Sequence, residues 1–463
     1  MIRDLAVVED PVRTRWTGGT TDGAWTFGRL MTAMAGSNDV DAFVRNWLSH
    51  WSATQNINGF NVNPRGSLQS LVVAPWPTVN GRLDLTRAPF RLLAIVNRMD
   101  LRDLSQGSAG EGRFVFGVVD ANGNPLQFTV IFEYRLPATT SAEVTQWAQD
   151  WHALGALTVG TAAYNQALEN LTNRFAGPNA APGRINGSAL NQLRTNELAL
   201  AAPWELREFT LAVNGQLVES TVAQTTDLSL NNSATLANYI NTNTAALLAG
   251  THVVPTTFNG VNFRGGSALT NFGHFWNAPG ITSAEARFRF SVNTCNGCHA
   301  GETGTGFLHV FPRNAGAVSS LSGFVTGTTV SDPVSGQART FNELQGRSAS
   351  LAEVLCTGAP STTLTASITP ASFFKVVSGT TRATFTATAN VTGGNPPYSY
   401  QWSLPGGTIT SPTASSTSFS VRAIPCEPVD TVLTLTVTDA YGAQAQANAD
   451  VTVASSGGKV ICP

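Results

Sequence analysis

The chain contains one run, Thr294-Cys295-Asn296-Gly297-Cys298-His299, in which two thiols stand three apart and an imidazole follows directly. Cys-x-x-Cys-His is the spacing of c-type haem attachment. The thiols can add to the two vinyl groups, and the adjacent histidine can take one axial position on the iron. A sixth ligand is sought nearby. His309 follows across a glycine-rich stretch long enough to pass round a haem edge, and His274 is the next choice. The methionines are Met1, Met31, Met34 and Met99, all far upstream, and of these Met99 alone enters the candidate set. Two other chemistries use the same residues. Zinc could be held by Cys295, Cys298, His309 and His299, although sequence neighbours such as Cys298 and His299 rarely share one ion. A Cys295–Cys298 dithiol or disulfide is the third, with His299 placed to favour a thiolate. Glu302, His309 and Arg313 follow closely, and they offer an acid, a base and a cation beside any bound group.

Other reaction classes leave no trace. There is no Gly-x-Ser-x-Gly elbow, no His-Glu-x-x-His pair, no lysine-bearing phosphate loop and no dinucleotide fingerprint. A net charge of -2 argues against an electrostatic nucleic-acid binder, and no apolar run is long enough to span a membrane. Charged residues make up 12%, about half the usual share, and Gly, Thr, Ser and Asn take their place. That balance suits a β-rich extracellular protein. The first residues, Met1-Ile2-Arg3-Asp4, lack the basic segment and apolar stretch of a signal peptide, so an exported chain would be numbered from a trimmed start.

Positioning the site falls to an α+β region over about 1–356. Helical spacing of apolar residues marks 38–51, capped by Asn38 or Asp39, then 142–155 with Ser141 as cap, and 161–175. Helices are also expected over 188–200 and 232–249. Strand-like runs cover 90–96, 113–119 and 126–135, the last two joined through Asn122-Gly123, and a second hairpin turns at Asn214-Gly215. A long Gly/Asn/Thr-rich connection over 250–282 carries His252 and His274. Residues 287–292 alternate Arg-Phe-Arg-Phe and predict a strand running into Cys295. Residues 318–356 read as a helical or irregular closure.

Past Cys356 the composition changes: residues 357–463 carry eight charged side chains. A linker is expected over 357–363, then strands near 383–391, 398–404, 418–421, 432–438 and 447–453. Gly394-Asn-Pro-Pro-Tyr-Ser-Tyr-Gln-Trp402, followed by Val432-Leu-Thr-Leu-Thr-Val-Thr-Asp439-Ala-Tyr-Gly442, resembles the PKD/Ig-like repeats of secreted bacterial proteins. The resemblance implies an all-β sandwich over 364–463 with Trp402 in its core, and says almost nothing about ligand. Cys426 precedes one expected strand and Cys462 follows the last. Adjacent antiparallel strands bring those ends together, so a Cys426–Cys462 disulfide is expected, with Cys356 left unpaired. A disulfide would agree with an oxidising compartment.

The stretch from Arg287 to Arg313 also resembles a group of secreted bacterial proteins sharing a Thr-Cys-Asn-Gly-Cys-His…Gly-Glu-Thr…Phe-Leu-His block. The run 88–100 and Trp204-Glu-Leu-Arg-Glu-Phe209 fit the same group. That resemblance implies export and no particular activity. The expectation is an extracellular or periplasmic monohaem redox protein with a redox partner. Its rival is a secreted surface or matrix protein, bound to an extracellular polymer, whose Cys-x-x-Cys-His segment is a zinc or disulfide clip.

Overall fold

The computed structural model describes the chain except residues 358–363, 395–397, 426, 440–443 and 457–463, and the side chains of 356 and 357. The Cys426–Cys462 disulfide, the unpaired Cys356 and the 357–363 linker therefore lie outside the described residues. The chain divides into two compact units, one made by residues 1–247 and 252–358, the other chiefly by residues 359–463.

Four helices form one layer of the first unit: α1 (Phe27–Ala35), α2 (Val40–Ser49), α3 (Ser141–Ala153) and α4 (Ala162–Ala176). Asp39 caps α2 as expected, its carboxylate accepting from Ala42 N. The cap of α3 is Thr140 rather than Ser141. Thr140 and Glu143 form a reciprocal capping box, which satisfies two orphan donors where Ser141 would satisfy one.

The helices cover a six-stranded antiparallel sheet built from β1 (Phe90–Arg98), β2 (Ser108–Val119), β3 (Pro125–Pro137), β4 (Leu190–Asn196), β6 (Glu208–Leu211) and β7 (Leu217–Ser220); β5 (Trp204–Leu206) lies outside it. Its order is β7-β6-β4-β3-β2-β1, while β5 pairs instead with β8 (Ala268–Thr270). Period-two alternation splits the sheet's faces. Phe114, Phe116, Phe128, Val130, Phe132 and Leu193 point under the helices into the main core, with Phe43, Trp47, Trp147 and Phe175 opposite. The intervening residues face the other way and mix charged groups such as Arg113, Glu133 and Arg194 with apolar ones such as Val115 and Ile131.

Two expectations fail here. The segment expected as a helix over 188–200 is the central strand β4. A bulge leaves Asn191 without a partner, since Glu133 pairs with Gln192 and Tyr134 with Leu190. Leu190 and Leu193 then share one face at a spacing of three, which mimics a helix. The 232–249 helix is also broken into two, Ala234–Thr242 and Thr244–Ala249.

A buried cluster sits where β4, β5 and β7 end. Arg207 pairs with Glu197 (3.4 Å), Glu205 (3.2 Å) and Glu219 (3.4 Å), and Arg65 holds Glu205 (2.6 Å). Three carboxylates share two guanidiniums. Burial pushes the Glu219 carboxyl up to about 8, Glu197 and Glu205 add to the rise, and Arg207 opposes it. In the fold Glu219 keeps a proton that it loses near the ordinary glutamate value of 4.5 when unfolded. Stability from this group is complete below that value and falls as pH rises through about 8. Glu219→Gln cannot ionise. It is expected to flatten the fall, gaining on the order of 2 kcal/mol over the parent between pH 5 and pH 9 in urea titrations. Parallel stability curves for the two proteins would refute this.

In the second unit, β9 (Thr365–Thr369), β10 (Ser372–Ser378), β11 (Arg382–Thr392), β12 (Ser399–Ser403), β13 (Gly407–Ile409), β14 (Ser416–Arg422), β15 (Val429–Thr438) and β16 (Gln444–Ser456) form two four-stranded sheets. Their orders are β9-β11-β14-β13 and β10-β16-β15-β12. All neighbours are antiparallel except β10 and β16, which run parallel. Both sheets contribute to one core that contains Phe373, Trp402, Phe419 and Leu435.

Candidate functional site

The approach to Cys295 is a helix, α5 (Ala284–Asn293), and not the strand that its alternation predicts. Ser283 caps it, and Glu285 pairs with Arg289 one turn on at 2.8 Å. Arg287 breaks the apparent rule: it points inward, 1% exposed, to a carboxylate cluster. An inward arginine beside an inward Phe290 counterfeits period two. Thr294 then ends α5 and begins α6 (Cys295–Cys298), its hydroxyl accepting from Gly297 N at 3.0 Å. The Trp276 indole N–H donates to both Thr294 Oγ1 and Asn296 Oδ1 at 2.9 Å, and Cys295 N donates to Thr225 Oγ1 at 3.0 Å. The turn bearing the thiols is therefore held from three sides.

His299 Nδ1 lies 2.7 Å from the carbonyl oxygen of Phe307. A carbonyl can only accept, so Nδ1 carries the proton and Nε2 keeps its lone pair in the neutral ring. Phe307 has φ of 67°, left-handed backbone that a bulky residue rarely adopts, and that turn aims its carbonyl at the imidazole. The Trp204 ring of β5 stacks on both His299 (5.3 Å between centroids) and Phe307 (5.4 Å). His309 packs on His299 with centroids 4.1 Å apart and rings tilted by 47°. Its Nδ1 reaches Ser322 Oγ at 2.9 Å, and its Nε2 lies 3.5 Å from Cys298 Sγ. Burial lowers His299 to about 4 and depresses His309 as well, so both rings are neutral at ordinary pH. Burial raises both thiols, the reverse of what a reactive thiolate needs. Cys295 and Cys298 are free, without a disulfide between them.

Cys295, Cys298, His299 and His309 line one cavity of about 630 Å³, within the size range of cofactor pockets. Its floor is the outward face of the six-stranded sheet. Val96 and Arg98 of β1, Glu111 and Arg113 of β2, Ile131 and Glu133 of β3, and Gln192 and Arg194 of β4 stand at alternate positions in register. The arginines and glutamates are cross-paired: Arg113 with Glu111 (2.5 Å) and Glu133 (3.3 Å), Arg194 with Glu133 (3.2 Å) and Glu208 (2.8 Å). Sequence reading missed this floor. Its signal was present in Glu111-x-Arg113, Glu133 and Gln192-x-Arg194, charged residues spaced by two within strands otherwise apolar on alternate positions.

Four other candidates do not line the cavity. Glu302 is fully buried against Arg287, with a second contact at 3.2 Å, so it anchors the loop and is not an available acid. It does not pair with Arg313. Arg313 instead binds Glu9 and the Leu92 carbonyl, tying the segment to the N-terminus and to β1. Met99 belongs to the main core at 2% exposure. His274 packs edge-on against Trp276 with centroids 5.2 Å apart. Among the described residues, no group of three or more His, Cys, Asp and Glu side chains is arranged to hold a metal ion.

No family model matches the chain, and no curated protein matches it. Solved structures similar to parts of it include a nucleoside hydrolase-related hypothetical protein from Saccharophagus degradans that is associated with carbohydrate metabolism. That match has 12% identity over 26% of this chain and 36% of the other, with a TM-score of 0.16. The titin domains Z1Z2 in complex with telethonin match at 16% identity over 20% of this chain and 48% of theirs, with a TM-score of 0.15. The chain thus spans less than half the length of either, and likeness this slight carries no argument about function.

Proposed function

We propose that the first unit is an exported monohaem c-type redox domain, in which Cys295 and Cys298 would be the covalent attachment points and His299 Nε2 would bind the iron. One observation carries the reading. The Phe307 carbonyl fixes His299 in the tautomer that leaves Nε2 free, on the same turn as two unpaired thiols and beside a cavity of cofactor size. The electrostatics fit as well. A buried setting that disfavours thiolates and imidazolium suits thioethers and a neutral imidazole, and it does not suit a redox dithiol. Haem, when bound, supplies one-electron chemistry at its iron.

The chain's own residues do the rest. Trp204 stacks on the His299 ring, and the Phe307 carbonyl holds its Nδ1. His309 is assigned a supporting place against Cys298 and His299. Its Nδ1 meets Ser322 Oγ and its Nε2 faces Cys298 Sγ. Export follows from the chemistry, since haem attachment of this kind and stable extracellular folds share an oxidising compartment. Among the described residues no helix is long and apolar enough to cross a membrane. We read the second unit as a PKD/Ig-like spacer or polymer-binding module, on the strength of its two sheets around Trp402.

Protein made with periplasmic haem-maturation machinery is expected to show a Soret band that survives acid–acetone extraction. The Cys295→Ala/Cys298→Ala variant should lose that retained band. A parent protein that retains no haem through extraction would overturn the proposal and leave a secreted binding protein as the reading.

A further inference from the structure

The helix α7 (Glu343–Thr357) places Arg347 at the cavity wall, beside Arg98, Glu343, Cys298 and His309. The other arginines of that wall are saturated. Arg113 and Arg194 share Glu111, Glu133 and Glu208, and Arg98 grips Asp100 through contacts of 2.7 to 3.0 Å. Among the described residues Arg347 has only Glu343, one turn back at 3.3 Å through Nη2, and Glu343 is shared with Arg98 at 3.8 Å. Its Nε and Nη1 are shut off from solvent and have no acceptor. Buried N–H groups on a charged side chain are costly to leave unpaired, and a carboxylate is the acceptor a guanidinium matches best. Burial and the neighbouring Arg98 together lower the Arg347 proton affinity to about 10, as expected of a cation short of counter-charge.

We propose that Arg347 anchors a carboxylate inside this cavity. On the haem reading, on which the identity of the group rests, that carboxylate is a propionate of the haem held at Cys295, Cys298 and His299. A small free acid would present the same chemistry.

The test uses the full chain carrying Cys295→Ala/Cys298→Ala, which makes haem binding reversible, with and without Arg347→Gln and Arg347→Lys. Haemin and its dimethyl ester, in which both propionates are blocked, are titrated by Soret absorbance, and succinate is titrated by calorimetry. With Arg347 present, haemin should bind about tenfold or more tightly than the ester. Arg347→Gln should erase that difference while leaving ester affinity unchanged, and Arg347→Lys should restore part of it. Unchanged ester binding shows that the pocket is intact. Equal affinity of haemin and ester with Arg347 present, or a ratio that Arg347→Gln leaves untouched, overturns the assignment. Failure of both porphyrins to bind defeats the haem reading instead. Succinate binding that Arg347→Gln abolishes would then keep the carboxylate site with a free acid as its occupant, and no succinate binding would end both.

Discussion

Arg287→Met is expected to cost about 3–5 kcal/mol of stability, the range found when one partner of a buried ion pair is removed. Arg287 is 1% exposed and holds three acceptors: Glu302, Asp332 at 2.8 Å, and the Trp276 carbonyl at 3.1 Å. Methionine fills much of the volume but leaves Glu302 with no cation, and leaves Asp332 with Arg339 alone at 3.2 Å. Two carboxylates would then be buried against one remaining guanidinium. The loss concentrates on the loop after His299, because Glu302 is what fastens that loop to α5. Adding Glu302→Gln and Asp332→Asn to Arg287→Met should recover part of the loss, since no unpaired charge then remains. Urea unfolding followed by tryptophan fluorescence measures both. A loss under 1 kcal/mol for the single variant would show that the cluster is solvated.

Gly297→Ala is expected to be as severe, at about 3 kcal/mol or more, because the clash is with backbone rather than with a side chain that can swing aside. A methyl group there would sit 1.9 Å from the Ser291 carbonyl oxygen and 2.8 Å from Thr294 Oγ1. The helix α6 turns back onto the last turn of α5, and only a residue without Cβ allows the approach. To admit the methyl, α6 must lift away, breaking the Thr294 cap that sets the spacing of Cys295, Cys298 and His299. The same variant is expected to lose most covalently held haem per folded chain, measured as pyridine haemochrome against protein mass. Wild-type stability and wild-type loading in Gly297→Ala would mean that α6 is not packed as described.

The parts of the fold legible in the sequence were those written in local chemistry. Asn122-Gly123 and Asn214-Gly215 announced their hairpins, and Asp39 its helix cap, because turn and cap chemistry is settled within a few residues. The failures share a different cause. At 190–196 a bulge moved Leu190 and Leu193 onto one face, a fact of pairing with β3 that no window along β4 contains. At 287–292 the Arg-Phe-Arg-Phe alternation predicts a strand, whereas Arg287 is buried in a helix and matched by Glu302 and Asp332 on later segments. Glu302 and Arg313 looked like chemistry because they stand near the cysteines in sequence. In space each is consumed by a partner on another element. The site's core of Cys295, Cys298, His299 and His309 was legible because its spacing is itself the signal. The cavity floor was not, since it is assembled from alternate residues of four strands and has no contiguous motif.

The two faces of the six-stranded sheet would respond differently to water. Lifting the helices would wet Phe114, Phe132, Trp47 and their neighbours, at the full hydrophobic penalty. Lifting the layer that carries Cys295 to Val310 would wet Arg113, Glu133 and Arg194, which water solvates well. Among the described residues, apolar packing under that layer includes clusters around Trp204 with Phe307 and around Val115 with Val310, and Arg313 ties its end to Glu9 and the Leu92 carbonyl. Opening on that side would therefore expose less apolar surface than lifting the helices. A flat group as large as a porphyrin could be admitted while the aromatic core stays closed.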